Sequence, residues 1–167
     1  TDDIASVRYA QADLSRLPFK TGTFDAVVCL GVLAYVPDLG PALSEIARML
    51  RTGGTAVLQT SSPGSPTRAI HRLVKPIYQR VRSGLTGQRY QPLGFPLRAY
   101  GLPQLRGALE KAGFDVRDHA YYDFRPPFLE RPAPRAALRM ASWLQRFERS
   151  RALGWLGEGF VVKAVRS

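Results

Sequence analysis

Residues 24–60, FDAVVCLGVLAYVPDLGPALSEIARMLRTGGTAVLQT, constrain the fold more than any other part of the chain. Ala26, Val27, Val28, Cys29 and Leu30 form an unbroken apolar run, the pattern of a strand buried on both faces. Leu43, Ile46, Ala47 and Leu50 then recur at helical spacing, with Pro41 suited to the first turn and Gly53-Gly54 suited to the stop. Residues 55–60 supply a second short strand. A strand, a crossover helix and a second strand make a βαβ unit, which places the turn after Leu30 at the carboxyl edge where such sheets bind ligands.

The flanking sequence extends this pattern. Residues 6–12, with Val7 and Tyr9 between polar neighbours, read as a strand ending at Asp13, and residues 14–23 as a loop. After the central unit, residues 61–66 are a Ser/Pro/Gly linker. Residues 67–83 predict a basic amphipathic helix with Ile70, Leu73, Val74, Ile77 and Val81 on one face, interrupted at Pro76. Residues 84–101, rich in glycine and proline, read as a loop. Pro103, then Leu105, Ala108, Leu109 and Ala112 before Gly113, mark a helix. Residues 114–124 predict a strand, and residues 135–150 a helix with Leu138, Ala141, Leu144 and Phe147 inward. The chain closes on a strand over residues 159–165, expected to pair antiparallel with the preceding one.

A chain of 167 residues with 45% hydrophobic content suits one folded domain. Its apolar runs are strand-sized, well short of the roughly 20 residues a membrane-spanning helix needs. The single cysteine, Cys29, lies inside the apolar run, which excludes a disulfide framework or a cysteine metal cluster and fits a reducing, cytoplasmic compartment. The formal charge is +11, and no acidic residue occurs between Glu45 and Glu110. Arg48, Arg51, Arg68, Arg72, Arg98 and Arg106 are among the basic residues of that span. Such density would attract an anionic membrane, an anionic substrate or nucleic acid, or would form a solvated surface. Neither interleaved aromatics nor a nucleic-acid motif is present, so nucleic acid ranks last.

The order of ADLSRLPF, FDAVVCLGVLAYVPD, ALSEIARMLRTGGTAVL and LPQLRGALEKAGF resembles the class I S-adenosylmethionine-dependent methyltransferases, in particular the ubiquinone and menaquinone biosynthesis group. The resemblance implies a Rossmann-like three-layer α/β sandwich with sheet order 3-2-1-4-5-7-6, its terminal strand antiparallel. It implies methyl transfer from S-adenosylmethionine to a small-molecule acceptor, with no metal. Asp13 matches the acidic residue that accepts from the adenine amino group, with Leu14 reading the ring edge. Leu30 and Gly31 match the backbone beside the methionine end, and Leu33, Tyr35 and Val36 the segment lining the cleft. Tyr35 and His71 are the candidates for contact with the acceptor or for a base, and residues 61–101 the variable segment that selects it.

The family's glycine-rich loop after the first strand and the acidic residue after the second are not in this sequence; no GxGxG occurs. The expectation is therefore one partial methyltransferase domain over residues 1–167, the carboxyl-terminal two thirds of the whole, inactive alone. A non-catalytic partner subunit of a methyltransferase and a basic membrane- or nucleic-acid-binding module are the alternative readings. The oligomeric state and the acceptor are not legible.

Overall fold

The computed structural model describes residues 8–66, 68–70, 73–74, 97–124, 133–150 and 152–167. Four strands form one sheet: β1 (Phe24–Cys29), β2 (Leu50–Ser61), β3 (Phe114–Tyr122) and β4 (Gly159–Arg166), in the order β1-β2-β4-β3. β1 runs parallel to β2, whereas β4 is antiparallel to both β2 and β3. This is the 4-5-7-6 part of the sheet order that the resemblance implies. The terminal strand thus pairs antiparallel with β3 as expected, and it also separates β3 from β2.

Helix α1 (Leu39–Met49) starts where Asp38 accepts a hydrogen bond from the Gly40 amide (2.9 Å), satisfying one of the free amides of the first turn. Its apolar residues Leu43 and Ile46 are fully buried. The helix ends at Met49 and β2 begins at once with Leu50, earlier than the glycine pair suggests, because Leu50 already pairs with Phe24. Helix α2 (Leu102–Lys111) carries Pro103 in its first turn and buries Leu105 and Leu109. α1 and α2 cover one face of the sheet. Alternate residues of β2 (Ala56, Leu58) and β4 (Phe160, Val162, Ala164) meet them in a single core with Leu33, Phe114 and Tyr121.

Two strand expectations need correction. Residues 8–12 form no strand, and Tyr9 is 92% exposed, since no neighbouring strand among the described residues supplies backbone partners. β1, expected to be buried on both faces, is buried on one. Cys29 sits in the core opposite Leu58, while Val28, turned to the other face, is 62% exposed. β1 is the edge of the described sheet, and the described helices pack on one side.

The segment between β3 and β4 folds into α3 (Pro134–Leu144), continued by a short 3-10 turn over Gln145–Phe147. It is tied to β3 by the Tyr121 amide, which donates to the Glu148 carbonyl (2.7 Å), and by Gly154. A Cβ at Gly154 would lie 2.2 Å from the Tyr121 ring, so only glycine admits that ring. The helix is rotated from the expected phase: Ala137 is buried, Ala141 and Leu144 are half-buried, and Leu138 is 69% exposed. Of the apolar face expected over residues 67–83, Leu73 and Val74 are exposed and Ile70 is half-buried. Ile77, Val81 and the loop at 84–96 lie outside the described residues, as does His71.

Candidate functional site

The parallel strands β1 and β2 end on the same edge of the sheet, and the chain there carries most of the sequence-predicted site residues. Leu30 follows β1 directly and is 58% exposed. Gly31 has φ +72°, a left-handed turn that an L side chain adopts only with strain. The turn leads into a 3-10 segment, Leu33–Tyr35, whose first side chain is a fully buried plug while Tyr35 remains exposed. Leu33 therefore anchors the loop, and Leu30, Gly31 and Tyr35 are presented outward.

The loop is braced from the far end of the variable segment. The Arg98 amide donates to the Ala34 carbonyl (2.8 Å), and the buried Tyr100 hydroxyl donates to the Val36 carbonyl. Beside it, Gln59 on β2 donates to the Tyr122 hydroxyl. At the start of the same segment the buried Ser65 hydroxyl donates to Glu158 (2.8 Å). Both described ends of residues 61–101 are thus fastened to the carboxyl edge of the sheet. Between them lies a cavity of about 420 Å³ lined by Ser62, Pro63, Leu102, Arg106, Tyr121 and Phe160. Sequence reasoning did not find Tyr121 or Phe160, which meet through the antiparallel pairing of β3 with β4, nor that Arg106, noted only as one of the basic residues, joins them from α2.

Asp13 and Leu14 lie on the loop before β1. The Asp13 Oδ1 accepts from the Ser15 amide (2.8 Å) and hydroxyl (2.6 Å), and these bonds hold the carboxyl below its ordinary range. Asp13 is therefore an ionised acceptor at neutral pH, and among the described residues Oδ2 carries no hydrogen bond. Leu14 packs against the core. This loop is bound to α1 by one ionic cluster. The Leu17 amide donates to Glu45 (3.0 Å), and Arg48 donates to the carbonyls of Phe19 (2.7 Å) and Leu17 (3.1 Å) while pairing with Glu45 (2.9 Å). The bonds from Arg48, then that from Leu17, depress the Glu45 carboxyl to about 2, and the pair raises the Arg48 guanidinium.

The acid-free stretch is less free in charge than its sequence implies. Arg48 faces Glu45, Arg51 pairs with Asp25 (2.6 Å), and Arg68 lies 3.9 Å from Glu158. These carboxylates come from outside residues 46–109. Cys29 is buried and its thiol is pushed up by burial, so it is a protonated core group. His119 on β3 lies against the Tyr121 ring in edge contact (5.8 Å, 84°). Among the described residues no helix is long and apolar enough to cross a membrane.

Comparison with known proteins supports the same architecture. A family model described as a methyltransferase domain matches residues 1–58. A demethylmenaquinone methyltransferase of Thermus thermophilus is 33% identical over 118 residues, covering 66% of this chain and 53% of that protein. One of Streptomyces avermitilis is 36% identical over 110 residues, covering 61% and 47% respectively. The chain thus spans about half the length of these curated relatives. A SAM-dependent methyltransferase of Thermotoga maritima superposes with a TM-score of 0.63 at 16% identity, over 93% of this chain and 62% of that one, which shows a shared fold.

Proposed function

We propose, because this chain belongs to the class I S-adenosylmethionine-dependent methyltransferases, that it forms one wall of a site transferring a methyl group from S-adenosylmethionine to a small-molecule acceptor. The observation that carries the reading is the edge after β1. An exposed Leu30 and a left-handed Gly31 stand there on a buried Leu33 anchor, within the stretch that the methyltransferase model matches.

The residues present suit the adenine half of the cofactor. The ionised Asp13, with Oδ2 open, is an acceptor for an exocyclic amine, and Leu14 offers an apolar edge beside it. Gly31 permits close backbone approach: a Cβ there would meet nothing nearer than Gln59 Oε1 at 3.8 Å, so the turn, not crowding, demands glycine. When bound, S-adenosylmethionine supplies an activated methyl on a sulfonium, so the protein's task is to position the acceptor in line. Tyr35 contacts that acceptor in this proposal, and the segment 61–101 selects it, with the Tyr121–Phe160 cavity taking its apolar part. His71 is the candidate base where the acceptor must lose a proton. The names of the relatives make a demethylmenaquinone-like aromatic acceptor the first to test. A cytoplasmic protein in peripheral contact with an anionic membrane completes the proposal, supported by the charge of +11.

Equilibrium dialysis with labelled S-adenosylmethionine tests the reading. Asp13→Ala is expected to weaken binding about tenfold, the worth of a hydrogen bond to a charged group. Asp13→Asn, which can still accept from Ser15, separates loss of the turn from loss of charge. Equal binding by all three proteins would remove Asp13 from the site. Binding of S-adenosylmethionine by the purified chain alone would count against the partner-subunit reading.

A further inference from the structure

The rotation of α3 leaves an apolar ridge outside. At 100° per residue Ala136, Met140 and Trp143 share one side of the helix, and the Trp143 ring meets that of the half-buried Phe147 on the following 3-10 turn in edge contact at 5.1 Å. Trp143 is 53% exposed, and Leu138 on the opposite flank 69%. Single exposed apolar residues need no explanation, but an aligned row with a tryptophan does. A groove of about 780 Å³ follows the ridge, lined by Ala133, Arg135, Ala136, Arg139, Met140 and Trp143.

Among the described residues α3 itself carries arginines and no carboxylate, and Glu148, beyond its end, accepts from Gln145 (2.8 Å). Arg135, Arg139 and Arg146 are exposed on the arc between Leu138 and Trp143. Residues 131–147 contain no aspartate or glutamate. Arg149, the next basic residue, is turned to Asp118 (3.5 Å). A second copy of the chain fits poorly here, because a two-fold interface would set arginine against arginine. Guanidinium groups flanking tryptophan and leucine match the boundary between phosphate headgroups and acyl chains, where the rings enter the apolar layer and the arginines remain with the anions.

We propose that the outward face of α3 is a docking surface for an anionic lipid bilayer. The inference rests on the peripheral membrane contact proposed above only for the class of partner; it names the surface and is independent of methyl transfer.

The test is co-sedimentation of the 167-residue chain with phosphatidylcholine vesicles, with and without phosphatidylserine. Binding is expected to require phosphatidylserine and to weaken with salt. Arg135→Glu with Arg139→Glu should reduce it by roughly tenfold or more, at about 1 kcal/mol per basic residue near such a surface. Trp143→Ser should reduce it as well, whereas Lys111→Glu with Lys163→Glu, the same change in net charge elsewhere, should reduce it far less. Trp143 is one of two tryptophans, and in a Trp155→Phe background its emission should shift to the blue on vesicles. Wild-type binding that survives the α3 substitutions would leave the membrane contact standing and overturn its assignment to α3. Equal loss from the two charge pairs, or equal binding to neutral vesicles, would also overturn it. No binding by the wild type would overturn both proposals, as would self-association lost in Trp143→Ser without vesicle binding.

Discussion

Glu45 and Arg48 connect the loop bearing Asp13 to α1, and the connection is ionic. The folded carboxyl lies near 2, below its ordinary 4.5, because Arg48 and the Leu17 amide both donate to it. A depressed carboxyl contributes stability that is complete above the unfolded value and lost as pH falls through the folded one. The melting midpoint should therefore decline as pH falls from about 4.5 to about 2, and the decline should be shallower in Glu45→Gln. Thermal melts of both proteins across that window check this; parallel curves would mean that Glu45 is not the titrating group. The i,i+3 spacing of Glu45 and Arg48 is legible in sequence, but the carbonyls of Leu17 and Phe19 that complete the cluster are not. Local spacing says nothing of a loop some thirty positions away. Asp13 was legible as an acidic residue at a turn, and its two bonds to Ser15 follow from their adjacency.

At the scale of elements, apolar periodicity located β1, α1, α2, β3 and β4, and misjudged which sides are covered. In α1 the phase was right, since Leu43 and Ile46 have no competitor on the other faces. In α3 the apolar residues lie around most of the helix, so periodicity could not choose between Ala137 and Leu138. Contact with β3 through Glu148 and Gly154 made the choice. The two helices give a paired prediction. Leu43→Ala, with its side chain fully buried, should cost about 2–5 kcal/mol. Leu138→Ala should stay within about 0.5 kcal/mol. Urea unfolding measures both; a large cost at Leu138 would return it to the core.

For the molecule as a whole, the consequential feature is the open side of β1. Among the described residues β1 is an edge strand, and with Val28 exposed on its open face it is a template for pairing with another chain. The 167-residue chain is expected to self-associate as its concentration rises. Val28→Lys, on the open face, should suppress this while changing stability by no more than about 0.5 kcal/mol. Sedimentation velocity across a concentration series decides it: a monomer at all concentrations, or association unchanged by the lysine, would mean that β1 is not the contact.

The sequence by itself located β1, α1, α2, β3 and β4, the turn at Leu30 and Gly31, and the family resemblance, because these rest on local periodicity, turn chemistry and motif order. Tertiary structure decided that β1 is covered on one face, that arginines of the acid-free stretch meet carboxylates from outside it, and that α3 turns its tryptophan out. Each of these is a long-range pairing or burial. The free energy that settles it comes from residues far apart in the chain, and no window of the sequence contains both partners.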